Sequence, residues 1–148
     1  MNNKLLYNNL GIASLSIAFI VSRAGSISLS KALLILPIIT HKELLAYLSN
    51  SKTQIHGMER LIIEKIHCFS NFNKRYYDNL ITSINAIQLL NEIELIQTRD
   101  HNLSAKSILN YEDLMGGRAK KIHKAANNII TILNDSAEKL YLNLRVEL

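Results

Sequence analysis

Few residues in this chain could do chemistry, and their spacing narrows what that chemistry could be. The one cysteine, Cys68, lies among apolar neighbours in IIEKIHCF, Ile62–Phe69. There is thus no disulfide framework, and the thiol reads as a small buried hydrophobe. The histidines are His41, His56, His67, His101 and His123. Of these only His67, beside Cys68, sits close to another soft ligand. Adjacent residues on a regular helix point apart, so no metal site is expected. No glycine-rich loop matches a Walker or dinucleotide pattern. Gly116-Gly117-Arg118 precedes a helical pattern and could offer free N–H groups to a phosphate. A helix stop followed by a helix start explains the same residues. Serines, histidines and aspartates show no local nucleophile signature. The carboxylates are scattered beside lysines. The expectation is a protein that is not an enzyme and holds no cofactor.

What remains is charge. Seventeen Lys and Arg stand against twelve Asp and Glu, a formal net charge of +5. Abundant asparagine, lysine and isoleucine fit an AT-rich genome, which raises lysine content without a functional cause. A basic solubilising surface accounts for much of the excess. The cations still gather in three places: Lys74 with Arg75, Arg99 with Lys106, and Arg118, Lys120, Lys121 and Lys124. These eight are the candidate contacts to DNA or to a partner protein.

The elements that must position them are mostly helical. Apolar residues make up 48% of 148 positions, enough for one domain with a real core. A first helix is predicted from Leu5 or Asn8 to Arg23, stopped by Gly25 in a left-handed cap. Its apolar run, Leu10–Ser22, also mimics a secretory signal. A buried helix explains it as well, and no stretch reaches the ~20 apolar residues of a membrane span. AGSISLS then reads as a loop. The next block, LLILPIITHKELLAYL (Leu33–Leu48), carries the chain's only proline. Pro37 disfavours helical geometry at Leu36, so a break is predicted at Leu36–Pro37, with a single helix kinked at the proline as the main alternative. A new helix would start at Thr40, with Glu43 reaching back in a capping box over Thr40-His41-Lys42-Glu43.

A helix from Thr53 to Phe69 follows, with Ile55, Met58, Ile62, Ile66 and Phe69 inward. Another runs from Arg75 to Leu90, with Tyr76 or Tyr77, Leu80, Ile84 and Ile87 inward. Asp100-His101-Asn102 turns a predicted hairpin between Leu95 and Leu109. The last long helix follows Gly116-Gly117, with Ala119, Ile122, Ala126, Ile129, Ile130 and Leu133 inward. Ser136–Leu148 starts as a short helix. The predicted fold is mainly α with a small β-hairpin. It has a winged-helix-like core over residues 53–109, N-terminal helices over 1–50, and a C-terminal helix and tail over 117–148. In that arrangement the Arg75–Leu90 helix would be the recognition helix and Thr98–Lys106 the wing. Thr82, Ser83, Asn85 and Gln88 leave that helix weakly charged, which favours protein contact over duplex reading.

The succession of elements resembles the small middle component of bacterial three-component ABC systems. The resemblance runs through most of the chain. Its specific part is the apolar block Leu33–Lys42, with Leu36, Pro37, Thr40, His41 and Glu43 as the motif. It is also similar to the small subunits of Lamassu-type antiphage and antiplasmid defence complexes. The resemblance implies a non-enzymatic adaptor in a cytoplasmic complex. Its partners would be an ABC/SMC-like ATPase, contacted at the heads, and a nuclease-type effector subunit, with DNA nearby and no membrane. A winged-helix transcription regulator is the alternative from another class.

Overall fold

The computed structural model describes the backbone of residues 3–148 and the side chains of residues 9–148. In chain order the elements are α1 (Asn3–Ala24), β1 (Ser26–Ser28), α2 (Leu29–Ala32), α3 (Ile35–Ile39), α4 (Lys42–Ser49), α5 (Met58–Glu64), α6 (Phe72–Glu92), β2 (Ile96–Arg99), β3 (Asn102–Ala105), α7 (Gly117–Ile132) and α8 (Ala137–Asn143). Short 3₁₀ turns lie at Ile66–Cys68 and Asp113–Met115.

The apolar run of α1 is the centre of the core. Ile17, Ala18, Phe19, Ile20 and Val21 are all buried, because α6 packs on one side of α1 and α7 on another. A helix covered on most faces needs apolar residues on most faces. Gly25 ends α1 as expected: its φ is 81° and its N–H donates to the Val21 carbonyl at 2.8 Å.

The segment expected to be a loop after α1 supplies a strand instead. β1 pairs antiparallel with β3, and β3 with β2, giving the order β1-β3-β2. The predicted hairpin is therefore two strands of a three-stranded sheet. In β1 only Ile27 is buried, and one apolar residue between two serines carries no readable alternation. The hairpin turn is Asp100-His101, both at positive φ (52° and 63°). That is the two-residue turn whose twist matches the strands.

The proline block departs from expectation in a way that physics explains. Pro37 is the third residue of α3, in the first turn, where a helix has no partner for its N–H groups. It ends no helix at Leu36–Pro37, where Leu36 is helical and buried, but it has no N–H to offer the Leu33 carbonyl four residues back, where α2 and α3 separate. The breaks flank it, at Leu33–Leu34 and at Thr40–His41. The predicted bend exists, at 103° between the residues up to Ile39 and α4, but its hinge is Thr40–His41. Thr40 is not the cap of α4. It still has helical geometry (φ −79°, ψ −12°) and closes α3, its N–H bonding to Leu36. A helix cap needs extended geometry. His41 has it (φ −86°, ψ 110°), and its Nδ1 accepts the Leu44 N–H at 3.1 Å. Glu43 does not reach back to Thr40; it pairs with His67. Among the described residues, no single helix is long and apolar enough to cross a membrane.

The helix expected over Thr53–Phe69 is much shorter. α5 starts after Gly57, which sits at φ 124°, and Lys65 leaves helical geometry (φ −128°, ψ 43°). The irregular residue resets the phase, so Ile66 faces solvent while Met58 and Phe69 are buried. At the C-terminus α8 and the tail fold back. The Tyr141 hydroxyl donates to the Ser30 carbonyl at 2.6 Å, and the Glu147 N–H to Asn73 Oδ1 at 2.9 Å.

A polar clasp joins α1 to α7. The Arg23 guanidinium donates to Asn127 Oδ1 and to His123 Nε2, each at 3.2 Å, and Phe19 meets the His123 ring edge-on. As acceptor, His123 must be neutral. Burial first, and the Arg23 charge second, hold its pKa below the ordinary 6.5. A depressed imidazole pKa penalises the folded state once the group is protonated. The clasp's contribution is therefore complete above pH 6.5 and is lost as the pH falls through the lower folded-state value. Thermal unfolding followed from about pH 8 to about pH 5 is expected to show this loss in the wild type. His123→Gln, which cannot titrate, is expected to flatten that part of the profile.

Candidate interaction surface

The eight cations predicted as contacts have four different fates. Arg75 is structural. From the first turns of α6 its Nε donates to the Pro37 carbonyl at 3.0 Å and its Nη2 to the Cys68 carbonyl at 2.8 Å. Both carbonyls lie at the C-terminal ends of short helical segments, where backbone acceptors lack intrahelical donors and a cation complements the dipole. The guanidinium also lies over the Phe72 ring, 5.3 Å from its centroid. Lys74, one residue earlier, points outward and pairs with Asp78 at 2.7 Å. Neighbours on a helix diverge by about 100°, so one faces in and the other out.

The hairpin pair does not form a patch. Arg99 sits next to the turn, opposite Asn102, while Lys106 follows β3 and bonds back to Leu95. Four residues of extended chain separate their positions, about 13 Å. The turn between the strands has only two residues, which leaves no long wing to enter a groove of DNA.

Two of the four α7 cations do come together with the proline block. Arg118, Lys120, Lys121 and Lys124 are all exposed. Arg118 and Lys121, one turn apart, line an open groove of about 510 Å³ together with Ile39, Thr40, Lys42 and Leu45. Its floor is apolar, from Ile39 and Leu45, and its rim carries three positive side chains. Leu36 and Pro37 lie beneath the surface and set the position of Ile39. The sequence reading had Thr40 and the α7 cations separately, but missed Lys42 and Leu45 as their neighbours. Only the 103° bend brings the two segments to one place.

A second surface was also missed. Buried on α6 are Phe72, Tyr76, Ser83, Ala86, Ile87 and Leu90. Ile84, expected inward, is 49% exposed, and Ile81 and Tyr77 are 73% and 44% exposed. Tyr77, Ile81 and Ile84 fall at i, i+4 and i+7, one continuous outer stripe. Two apolar stripes on one helix was the signal that could have exposed it. The Tyr77 hydroxyl donates to the Glu147 carbonyl, so the tail borders this stripe.

One family model matches the chain, over residues 10–148: ABC-three component (ABC-3C) system Middle Component 3. No curated protein and no solved structure matches it.

The different fates of neighbouring cations can be measured. Arg75→Ala leaves two carbonyls without their charged donor and is expected to lower stability by about 2–4 kcal/mol. Lys74→Ala removes an exposed pair and is expected to change stability by less than about 0.5 kcal/mol. Urea unfolding of the two variants checks the contrast.

Proposed function

The chain belongs to the Middle Component 3 family of ABC-three component systems, and we propose that it serves there as a non-enzymatic adaptor. In this reading it sits on the heads of the ABC/SMC-like ATPase and links the state of the ATPase to an effector subunit, in the cytoplasm. By its resemblance to Lamassu-type small subunits, the complex is one of antiphage and antiplasmid defence. The system partners follow from family membership; the docking on the heads, the coupling to the effector and the defence role are the proposal.

The observation that carries the adaptor reading is the outer face of α6. A duplex-reading helix places arginine, lysine or amide groups toward the DNA. Here that face presents Tyr77, Ile81 and Ile84. An exposed apolar stripe of this kind marks a protein contact. The element order also supports a winged-helix-like arrangement: α1, β1, the short helices, α6, then the β2–β3 hairpin, with β1 against β3. On that reading the unit of residues 53–109 takes its third strand from β1, outside that range, and α6 is its recognition helix turned to protein binding. The groove between the proline block and α7 is a second contact. Its cation rim suits acidic side chains around an apolar anchor.

The test is co-expression with the ATPase and effector components of its system. Wild-type protein is expected to co-purify with the ATPase. Ile81→Glu with Ile84→Glu is expected to cut the recovered ATPase at least about tenfold, since each buries a charge against an apolar contact, while the variant keeps its own melting temperature. Equal recovery with that variant would remove α6 from the interface. A lone wild-type subunit that binds duplex DNA with steep salt dependence would favour the transcription-regulator alternative.

A further inference from the structure

Glu43, His67 and Cys68 are brought to one point from two distant segments. His67 Nε2 lies 2.8 Å from Glu43 Oε1 and 3.6 Å from Cys68 Sγ, and the three ligand atoms all lie within 4.8 Å of one another. The expectation that His67 and Cys68 diverge fails because they stand in a 3₁₀ turn entered through the irregular Lys65. We propose that Glu43, His67 and Cys68 form a binding site for one zinc ion, with the fourth position open to water. The assignment is independent of the adaptor reading.

The geometry suits the ion. With Zn–S near 2.3 Å and Zn–N near 2.0–2.1 Å, a tetrahedral S···N edge is roughly 3.5 Å, and the observed separation is 3.6 Å. The carboxylate is held closer to the imidazole than a tetrahedral edge of roughly 3.3 Å requires. Glu43 and His67 are 60% and 56% exposed at the side chain, so either can open by that amount. Cys68 is fully buried and fixed: its N–H bonds to the Lys65 carbonyl and its own carbonyl to Arg75. The site thus has a rigid sulfur floor and two adjustable surface ligands. The donor set excludes a hard-cation preference. Thiolate and imidazole select zinc-like ions, whereas calcium and magnesium take oxygens. The positive side chains beside the site are otherwise engaged. Arg75 holds the two backbone carbonyls, and Lys65 lies 4.6 Å from the centre of the Tyr47 ring.

A cysteine nucleophile is the competing use of the same residues, and the geometry disfavours it. A base relay needs the carboxylate on one ring nitrogen and the thiol on the other. Here both approach the same atom, Nε2. Convergence of an oxygen and a sulfur on one imidazole nitrogen is what a shared metal requires.

The test uses the full chain, reduced, freed of metal with a chelator and titrated anaerobically with Co²⁺, then with Zn²⁺. The expected result is one ion per chain, a thiolate-to-cobalt charge-transfer band, and its loss as Zn²⁺ displaces Co²⁺. Cys68→Ser is expected to abolish the band. His67→Gln and Glu43→Gln alter only surface side chains and leave the metal-free protein folded. Each is expected to weaken binding by more than the about ten- to hundredfold that loss of an outer-shell partner costs, and to remove the rise in melting temperature that Zn²⁺ gives the wild type. His56→Ala and His101→Ala are expected to change none of these. A cobalt spectrum without sulfur character overturns the site, as does unchanged affinity in the His67 and Glu43 variants.

Discussion

One guanidinium holds the middle of this protein together. α3 has five residues and the Ile66–Cys68 turn three, far too few to be stable alone, since nucleating a helix costs more than a few hydrogen bonds return. Neither end is closed by a glycine cap. Arg75 bonds to both from α6, a helix of 21 residues that is anchored in the core. A long helix with many packed contacts thereby lends its rigidity to two short segments that have little of their own. The 103° bend and the meeting of Glu43 with His67 lie in or next to the segments that this attachment holds.

The parts of the fold that could be read from the sequence are those set by local rules acting over many residues. α1 with its Gly25 stop, α7 with its inward stripe, and the hairpin at Asp100-His101 each rest on periodicity or turn chemistry that needs no knowledge of the rest of the chain. β1 was not legible, because three residues carry no pattern and pair only once β3 is in place. α5 was overestimated because an apolar spacing of three and four continues through Lys65, where the backbone leaves the helix. The proline misled for a related reason. Its effect depends on its position within a helix: it shows four residues earlier, at the Leu33–Leu34 break, and not at Leu36–Pro37 itself. Thr40 and His41 are both plausible caps by residue type. The backbone angle, which depends on where α3 ends, decides between them.

The site was legible in composition and illegible in direction. The sequence marks Lys74 and Arg75 as a pair of cations, but cannot say that one turns inward to serve two carbonyls. On α6 the rule that apolar residues face the core failed for Ile81 and Ile84. The buried positions there include Ser83 and Ala86, and α1, which packs on α6, buries Ala13 and Ser14. The hydroxyls of Ser14 and Ser83 have no hydrogen-bond partner among the described residues. Small side chains at a helix–helix contact let backbones approach closely, and the larger isoleucines are displaced to the outer face. Leaving two buried hydroxyls unpaired is a cost that close packing of α1 on α6 must offset.

The two exposed surfaces are not independent. Arg118 lines the groove with Lys42 and Leu45, and it also lines the neighbouring cleft that holds Asp78, Asn79 and Thr82 of α6. Of these, Asp78 and Thr82 lie beside the stripe of Tyr77, Ile81 and Ile84 on the same helix. The basic rim, the cleft and the apolar stripe therefore run side by side across the molecule. An interface of ordinary size covers about 800 Å² on each partner, which is more than the groove alone can offer. In a contact of that size covering both the groove and α6, Arg118 is the residue at which its polar and apolar halves would meet. Charge at the rim would then set the rate and orientation of docking, while the stripe, once dehydrated, would set how long the partner stays.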